Sequence, residues 1–163
     1  MAKNKEEKTN VMRVLEQKKI AYTAHTYPHE EGVAVDGVTV AKSMGFDPAI
    51  VFKTLVARGA SKQYYVFDVP VAENLDLKKA AKAVGEKSIE MIHQKELLSL
   101  TGYVHGGCSP VGMKKLFPTV FHSSAENLAA MIVSAGKIGY QVELAPHDLA
   151  ALVRAKFADI IVE

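Results

Sequence analysis

The sequence predicts a mixed α/β fold in which a curved sheet is surrounded by helices. Segments with apolar residues at every second position are interspersed with segments of helical spacing along the chain. Several strand pairs are separated by short glycine-containing turns, which favours hairpins over a purely parallel sheet. The 163 residues are 48% apolar, which is enough for one ordinary domain. We therefore expect a single domain over residues 1–163, with residues 1–8 frayed.

The helices are predicted from apolar spacing and from the residues at their ends. The predicted helical ranges are 9–19, 38–44, 76–84, 94–100 and 146–154, with a short turn at residues 47–48. Gly45 and Gly85 directly follow two of these ranges, where glycine commonly ends a helix in the left-handed conformation. Ser123 with Glu126 predicts a capping box for a further brief helix.

About seven strands are predicted from two-residue alternation. Their ranges are 21–27, 51–57, 64–69, 119–122, 131–134, 140–144 and 157–162, and residues 90–91 are also expected to be extended. The turns at residues 59–62 and 135–139 are expected to join two hairpins. No repeat or linker divides the chain.

Charge and cysteine content limit the function classes. A net charge of +2 does not demand a large nucleic-acid footprint, although a local basic patch is compatible with it. The single cysteine, Cys108, excludes a disulfide within the chain and a multi-cysteine metal site. The first residues lack the apolar segment of a secretory signal, and no run of about 18 apolar residues occurs. We expect a cytoplasmic protein without a membrane span.

The stretch VFKTLVARG places Lys53 in a strand whose two faces both appear half-buried. In one interpretation the lysine stem packs and its ammonium reaches water. In the other, Lys53 is a fixed cation for a phosphate, a carboxylate or a developing oxyanion. An amine nucleophile is a further alternative, and it would require a lowered pKa.

The stretch GYVHGGCSPVG contains two adjacent glycines, Gly106 and Gly107, followed by Ser109 and Pro110. Consecutive backbone N–H groups in such a turn form an anion-binding nest, or the segment is simply a tight turn. A Walker loop and a dinucleotide fingerprint are both excluded by the spacing. A second glycine-flanked turn presents Lys137.

Other candidate groups are less distinctive. The six histidines show no metal-binding spacing, so no metal or other cofactor is predicted. Cys108 forms a nucleophilic dyad with a distant histidine or is simply a packed apolar residue. A set of lysines forms either a solvated helix face or a contact for tRNA phosphates: Lys78, Lys79, Lys82 and Lys87. The residues together indicate a site that binds and orients its ligand.

Six segments, in this order, closely resemble the YbaK/EbsC family, free-standing relatives of the editing domain of bacterial prolyl-tRNA synthetases. They are HTYPHE, VFKTLV, LDLKKAAKAVG, TGYVHGGCSPVGMKK, PTVF and VSAGKIGYQVEL. The resemblance extends from about Val11 to Ile161. It implies a curved, barrel-like mixed sheet of about six to seven strands surrounded by helices, and trans-editing of mischarged tRNA.

The resemblance also implies site residues. The family's catalytic lysine and glycine loop correspond to Lys53, Gly106 and Gly107. Its substrate-binding positions correspond to Tyr27, Ser109 and Pro110, and we add Lys137 to them. Two further positions near the substrate depart from well-known members, with Asp36 in place of an aromatic residue and Gln141 in place of an aspartate.

For cysteine-specific members, the implied mechanism needs no enzymatic base. The thiol of the substrate attacks its own ester carbonyl and leaves as a thiolactone, while Lys53 and the glycine N–H groups meet phosphate or oxyanion. The implied partners are Cys-tRNA(Pro) and prolyl-tRNA synthetase, with Cys108 a bystander. Two alternatives stay open: a hydrolytic deacylase of Ala-tRNA or Ser-tRNA, and a non-catalytic module that binds aminoacyl-tRNA. The sequence does not indicate an oligomeric state.

Overall fold

The computed structural model describes residues 8–163 and contains five α-helices and two β-sheets. The predicted mixed α/β class is confirmed. The prediction of a frayed start falls, for residues 1–7, outside the described residues. The helices are α1 Asn10–Gln17, α2 Gly37–Ser43, α3 Leu77–Val84, α4 Leu97–Thr101 and α5 Pro146–Val153. Short 3₁₀ helices occupy Pro48–Ile50, Gln94–Glu96 and Ser123–Asn127.

The described strands form a five-stranded sheet and a three-stranded sheet. They are β1 Thr23–Thr26, β2 Phe52–Gly59, β3 Tyr64–Pro70, β4 Ile89–Met91, β5 Thr119–His122, β6 Met131–Ser134, β7 Tyr140–Leu144 and β8 Lys156–Ala158. The larger sheet has the order β4-β2-β3-β5-β8 and mixes antiparallel with parallel pairs. The smaller sheet has the order β1-β7-β6 and is antiparallel. The predicted barrel-like shape is not confirmed, because among residues 8–163 a single bridge, between Val51 and Ile132, joins the two sheets.

Strand β2 lies between two apolar cores. Phe52 and Val56 pack into the larger core, which also receives residues of α1, α5, β6 and β7. Ala57 packs into a second core on the other face of the sheet, beneath α3. Both faces of β2 are therefore covered, which confirms the half-buried pattern predicted around Lys53.

One predicted helix cap and two predicted strand boundaries are wrong. Strand β5 ends at His122 as predicted, but the 3₁₀ helix begins directly at Ser123 with His122 as its cap, so the predicted capping box does not form. Strand β8 ends at Ala158 instead of residue 162, because the backbones of Ile160 and Val162 bond to residues 74–76. Strand β1 begins at residue 23 instead of 21. The predicted β2–β3 and β6–β7 hairpins are confirmed.

One edge of β2 is only partly paired. On the side away from β3, β2 meets β6 at Val51 and pairs with β4 at residues 57–59. No strand among the described residues pairs with residues 52–56 on that side. The parallel strands β2 and β6 thus separate after a single bridge, and the opening between them positions the candidate site.

Candidate functional site

A cavity of about 330 Å³ lies where β2 and β6 separate. Its volume is at the lower end of the range for small-molecule sites. The walls come from several parts of the chain. They are residues 51–55 at the start of β2, residues 35–38 and Val40 around the start of α2, His105, Gly106 and Cys108 in the loop after α4, Ser134 on β6, Gln141 on β7, Tyr27 and Val71. The lining is mostly apolar with a few convergent polar groups, which is typical of a binding site.

Lys53 is the cation on the cavity wall. Burial lowers the pKa of its ammonium, and the charge of Glu73 acts in the opposite direction. No carboxylate among residues 8–163 lies within 4.0 Å of this ammonium. A half-buried cation without an ion pair is a suitable contact for an anionic group of a ligand.

The double-glycine turn contributes Gly106 to the cavity. Gly106 has a φ of 91°, and a Cβ atom there would lie 2.7 Å from the Cβ of Ala34, so a side chain does not fit. Gly107 packs against the backbone of Ile138, where an added Cβ would lie 3.1 Å from the nitrogen. The Gly107 N–H already donates to the Val104 carbonyl at 2.9 Å. Because the Gly107 N–H is already bonded, the predicted anion nest loses one of its two donors, and the Gly106 N–H is the more available donor of the pair.

Gly107 and three other predicted site residues lie outside the cavity lining. Ser109 and Pro110 are buried in the loop, and the Ser109 hydroxyl accepts a hydrogen bond from the Val111 N–H at 3.2 Å. The Lys137 ammonium lies 5.2 Å from the centre of the Tyr140 ring. Ser109 and Pro110 therefore shape the loop, and Lys137 belongs to the neighbouring β6–β7 turn.

Gln141 lines the cavity and carries an acceptor without a partner. It lies opposite Ser134 in the β6–β7 register, and both side chains face the cavity. The buried Gln141 Oε1 has no hydrogen-bond partner among the described residues. The Ser134 hydroxyl accepts from the Gly136 N–H at 3.1 Å, so its own proton is available to a ligand. An unpartnered buried acceptor beside a cavity indicates a donor supplied by the ligand.

Tyr27 and Asp36 lie at other parts of the wall. Burial raises the pKa of the Tyr27 phenol, and a backbone hydrogen bond with Gly139 opposes this shift. Asp36 caps α2, with its carboxylate accepting from the Thr39 N–H at 3.1 Å and the Thr39 hydroxyl at 2.7 Å. The Thr39 side-chain bond is the main cause of the lowered pKa of Asp36. The Asp36 carboxylate therefore serves as the N-cap of α2.

A buried acid lies directly behind the cavity wall. Asp68 on β3 is opposite Thr54 on β2, and the Thr54 hydroxyl donates to Asp68 Oδ1. Asp68 is fully buried, and its Oδ2 has no hydrogen-bond partner among the described residues. Burial raises the pKa of Asp68 to about 7, against the opposing effect of the Thr54 bond.

Cys108 lines the cavity but is not an activated nucleophile. Burial is the main cause that raises the pKa of its thiol to about 12, and the nearby charge of Asp68 acts in the same direction. The thiolate is the reactive form, and it is disfavoured at neutral pH. This environment argues against the cysteine–histidine dyad.

The lysine-rich face lies on α3, outside the cavity lining. The Lys79 ammonium is bound to Asp159 at 3.1 Å and to the Ile161 carbonyl at 2.9 Å, whereas Lys78 and Lys82 are at least partly exposed. Residues 8–163 hold no cluster of three or more His, Cys, Asp or Glu side chains placed to bind a metal ion. Of the helices described, none has the length and apolar character needed to cross a membrane.

Comparison with known proteins decides the family. Residues 32–152 match the model of the aminoacyl-tRNA editing domain, and this range includes most of the cavity wall. The chain belongs to the aminoacyl-tRNA editing domain family. It is 46% identical over 161 residues to EbsC of Enterococcus faecalis, a proposed Cys-tRNA(Pro)/Cys-tRNA(Cys) deacylase. The aligned region covers 98% of each chain.

Two solved structures share the fold of this editing domain. One is a proposed trans-editing enzyme for prolyl-tRNA synthetase, with a TM-score of 0.79 and 24% identity over 94% of this chain and 95% of the other. The second is a protein described only as hypothetical, with a TM-score of 0.82 and 18% identity over 93% of this chain and 99% of the other. At these identities the two structures support the fold alone.

Sequence reasoning missed four polar residues of the editing domain's cavity region. They are Thr54, Asp68, His105 and Ser134. Asp68 had a visible signal, because it is the only charged residue in the apolar strand YYVFDVP. Thr54, Ser134 and His105 carry no comparable signal, since a strand threonine, a strand serine or a loop histidine is common outside functional sites.

Proposed function

We propose that the protein is an aminoacyl-tRNA deacylase that acts in trans and releases cysteine from mischarged Cys-tRNA(Pro). One observation carries the proposal: the cavity combines Lys53, a cation with no ion pair among residues 8–163, with a thiol, Cys108, that is not ionised near neutral pH. Such a site binds and orients the aminoacyl ester of a tRNA but supplies no nucleophile. The name of the E. faecalis relative supports cysteine as the amino acid.

Lys53 and Gly106 are the proposed catalytic contacts. The Lys53 ammonium meets the phosphate of the terminal nucleotide or the negative charge that develops on the ester carbonyl oxygen. The Gly106 N–H is a second donor to that oxygen, and one such donor contributes about 3 kcal/mol to transition-state stabilisation. Gly107 assists through its close packing on Ile138, which holds the turn against the cavity.

The remaining predicted residues position the substrate. Gln141 Oε1 accepts a hydrogen bond from the α-amino group, because it is a buried acceptor without another partner. Tyr27 packs beside the aminoacyl group, and Asp36 lies at the α2 side of the cavity. Ser109 and Pro110 hold the shape of the loop. Lys137, in the neighbouring turn, contacts the tRNA backbone.

The proposed reaction uses the nucleophile of the substrate. The cysteinyl sulfur forms a bond to the ester carbonyl carbon, and the bond from this carbon to the ribose oxygen breaks. The proton lost by the thiol is transferred to the released ribose oxygen, so the products are a cyclic thiolactone and free tRNA. A well-oriented intramolecular attack has an effective molarity of about 10⁵–10⁸ M, so orientation alone supplies much of the acceleration.

A deacylation panel tests the proposal. The purified protein is incubated with Cys-, Ala-, Ser- and Pro-tRNA(Pro), and the released products are identified by mass spectrometry. We expect rapid loss of cysteine as thiolactone, and stimulation by prolyl-tRNA synthetase as the proposed partner. Release of free alanine or serine in preference to cysteine would instead establish the hydrolytic alternative. Binding of charged tRNA without any release would establish the non-catalytic module.

A further inference from the structure

A carboxylate and a hydroxyl form a path from the cavity into the core. Thr54 lines the cavity, and its hydroxyl donates to Oδ1 of Asp68, which lies one strand further in. These two residues are directly opposite each other in the β2–β3 register, so their side chains share one face of the sheet. A ligand in the cavity therefore reaches Asp68 through a single hydroxyl group.

Structural needs of the core do not explain Asp68. Its carboxyl group is fully buried, one of its oxygens lacks a hydrogen-bond partner, and no Lys, Arg or His among the described residues forms an ion pair with it. An uncompensated buried acid is destabilising, and strands with alternating apolar residues tolerate an apolar side chain at such a position. A buried polar group of this kind calls for a functional explanation.

The surroundings of Asp68 contain few other titratable groups. Cys108, from the loop after α4, is the group whose pKa responds to the charge of Asp68, and its thiol stays protonated. Tyr103 in the same loop has a pKa raised to about 12, mainly by burial. Lys53 precedes Thr54 on β2 but projects from the opposite face of that strand, and His105, Tyr27 and Asp36 lie on other parts of the cavity wall. Asp68 is therefore the acid in this neighbourhood that changes charge near neutral pH.

We propose that Asp68 is a positioning residue that accepts, through the Thr54 hydroxyl, the proton lost by the substrate thiol during deacylation. This inference rests on the proposed function. The substrate S–H gives its proton to Thr54 Oγ1, and the Thr54 proton passes to Asp68 Oδ1. The sulfur then bonds to the carbonyl carbon, and the ester C–O bond breaks. The proton then returns from Asp68 through the Thr54 hydroxyl to the ribose oxygen, with or without a bridging water, so Asp68 ends in its starting state.

The environment of Asp68 suits this task. A general base acts most effectively when its pKa lies near the working pH, and burial raises the pKa of Asp68 to about 7. Without such a base, only the small ionised fraction of a thiol with an ordinary pKa of about 8.5 would react at neutral pH. Positioned bases of this kind typically contribute about 10²–10⁴-fold to a rate.

The test is a single-turnover pH profile of Cys-tRNA(Pro) deacylation from pH 5.5 to 9 with four proteins besides the wild type. Asp68→Asn keeps the shape and an acceptor for Thr54 but does not take a proton. Thr54→Val removes the connecting hydroxyl, and Thr54→Ser restores it. Thr119→Val is the matched control, because Thr119 is also a buried strand threonine with a bonded hydroxyl, but it does not line the cavity.

We expect the wild-type rate to level off above about pH 7. The Asp68→Asn and Thr54→Val rates should be lower by about 10²-fold at pH 7 and should keep rising towards pH 9, where the thiol ionises without help. Thr54→Ser and Thr119→Val should follow the wild-type profile, and the protein concentration that gives half the maximal single-turnover rate should change little in all variants. A purely structural role would lower the rate by one factor at every pH.

The outcomes separate the two claims. An active wild type whose Asp68→Asn variant keeps the wild-type shape of the profile overturns the role of Asp68 and leaves the deacylase intact. If the rates of both Asp68→Asn and Thr54→Val partly recover at high pH, the result supports Asp68 as the proton acceptor. A wild type that does not deacylate Cys-tRNA(Pro) at any pH overturns both the proposed function and this inference.

Discussion

Replacement of Asp68 by asparagine should change how the stability of the fold depends on pH. Burial raises the pKa of Asp68 from its ordinary 3.8 to about 7 in the folded protein. Between these two values the folded state holds a proton that the unfolded state has released, so the free energy of unfolding falls as the pH rises. The fall is complete once the pH exceeds the folded-state pKa. Asparagine does not titrate, so the free energy of unfolding of the Asp68→Asn variant lacks this pH-dependent contribution.

The magnitude follows from the two pKa values. One pKa unit corresponds to about 1.4 kcal/mol, and the linkage relation gives a loss of about 2.5 kcal/mol for the wild type between pH 5 and pH 8 from this group alone. The assay is urea unfolding of both proteins at pH 5, 6, 7 and 8. Contributions of all other groups are common to the two proteins and cancel in the difference between their free energies of unfolding.

We therefore expect Asp68→Asn to gain about 2.5 kcal/mol relative to the wild type from pH 5 to pH 8. Asp159→Asn is the control: the bond to Lys79 lowers the pKa of the exposed Asp159, so this group stays ionised in both states above pH 5 and its difference from the wild type should stay constant from pH 5 to pH 8. A difference between wild type and Asp68→Asn that stays constant across this pH range would refute the reasoning, since it would mean that Asp68 titrates equally in both states.

Three further predictions concern the cavity. Lys53→Ala should lower the deacylation rate by at least 10²-fold without loss of stability in urea, because its ammonium has no ion pair among residues 8–163. The control is Lys18→Ala, which changes an exposed lysine outside the cavity and should match the wild type in both assays. Cys108→Ala should retain the deacylation rate within a few-fold, because its thiol stays protonated; loss of turnover in a folded variant would restore the nucleophile hypothesis. Gly106→Ala should destabilise the fold by about 1–3 kcal/mol and slow deacylation, because the residue has a φ of 91° and its new Cβ would meet Ala34; a melting temperature equal to that of the wild type would contradict this.

The sequence predicts the local elements well because their signals are local. The helix predicted over residues 76–84 forms as α3, with Asp76 as its N-cap and Gly85 ending it at a φ of 75°. The β2–β3 hairpin also follows from alternation and from its turn. The failed capping box at Ser123 shows the limit of such signals, because the 3₁₀ helix begins at Ser123 itself and its cap is His122, the last residue of the preceding strand.

Long-range pairing is what the sequence does not predict. The chain order does not show that β3 pairs in parallel with β5, or that β2 and β6 part after Val51. That separation opens the cavity, which Gln141 and Gly106 line together with Lys53. Lys53 was predictable because a lysine in a two-sided apolar strand is unusual, whereas Thr54 gains its interest only from its contact with Asp68.

The most direct test of the account is the identity of the product released from Cys-tRNA(Pro) in a single turnover. The account predicts a cyclic thiolactone and intact free tRNA with the wild-type protein, and almost no release with Lys53→Ala. Free cysteine without thiolactone, or full activity of the Lys53→Ala variant, would contradict the central claim that the protein anchors the ester and the substrate thiol performs the attack.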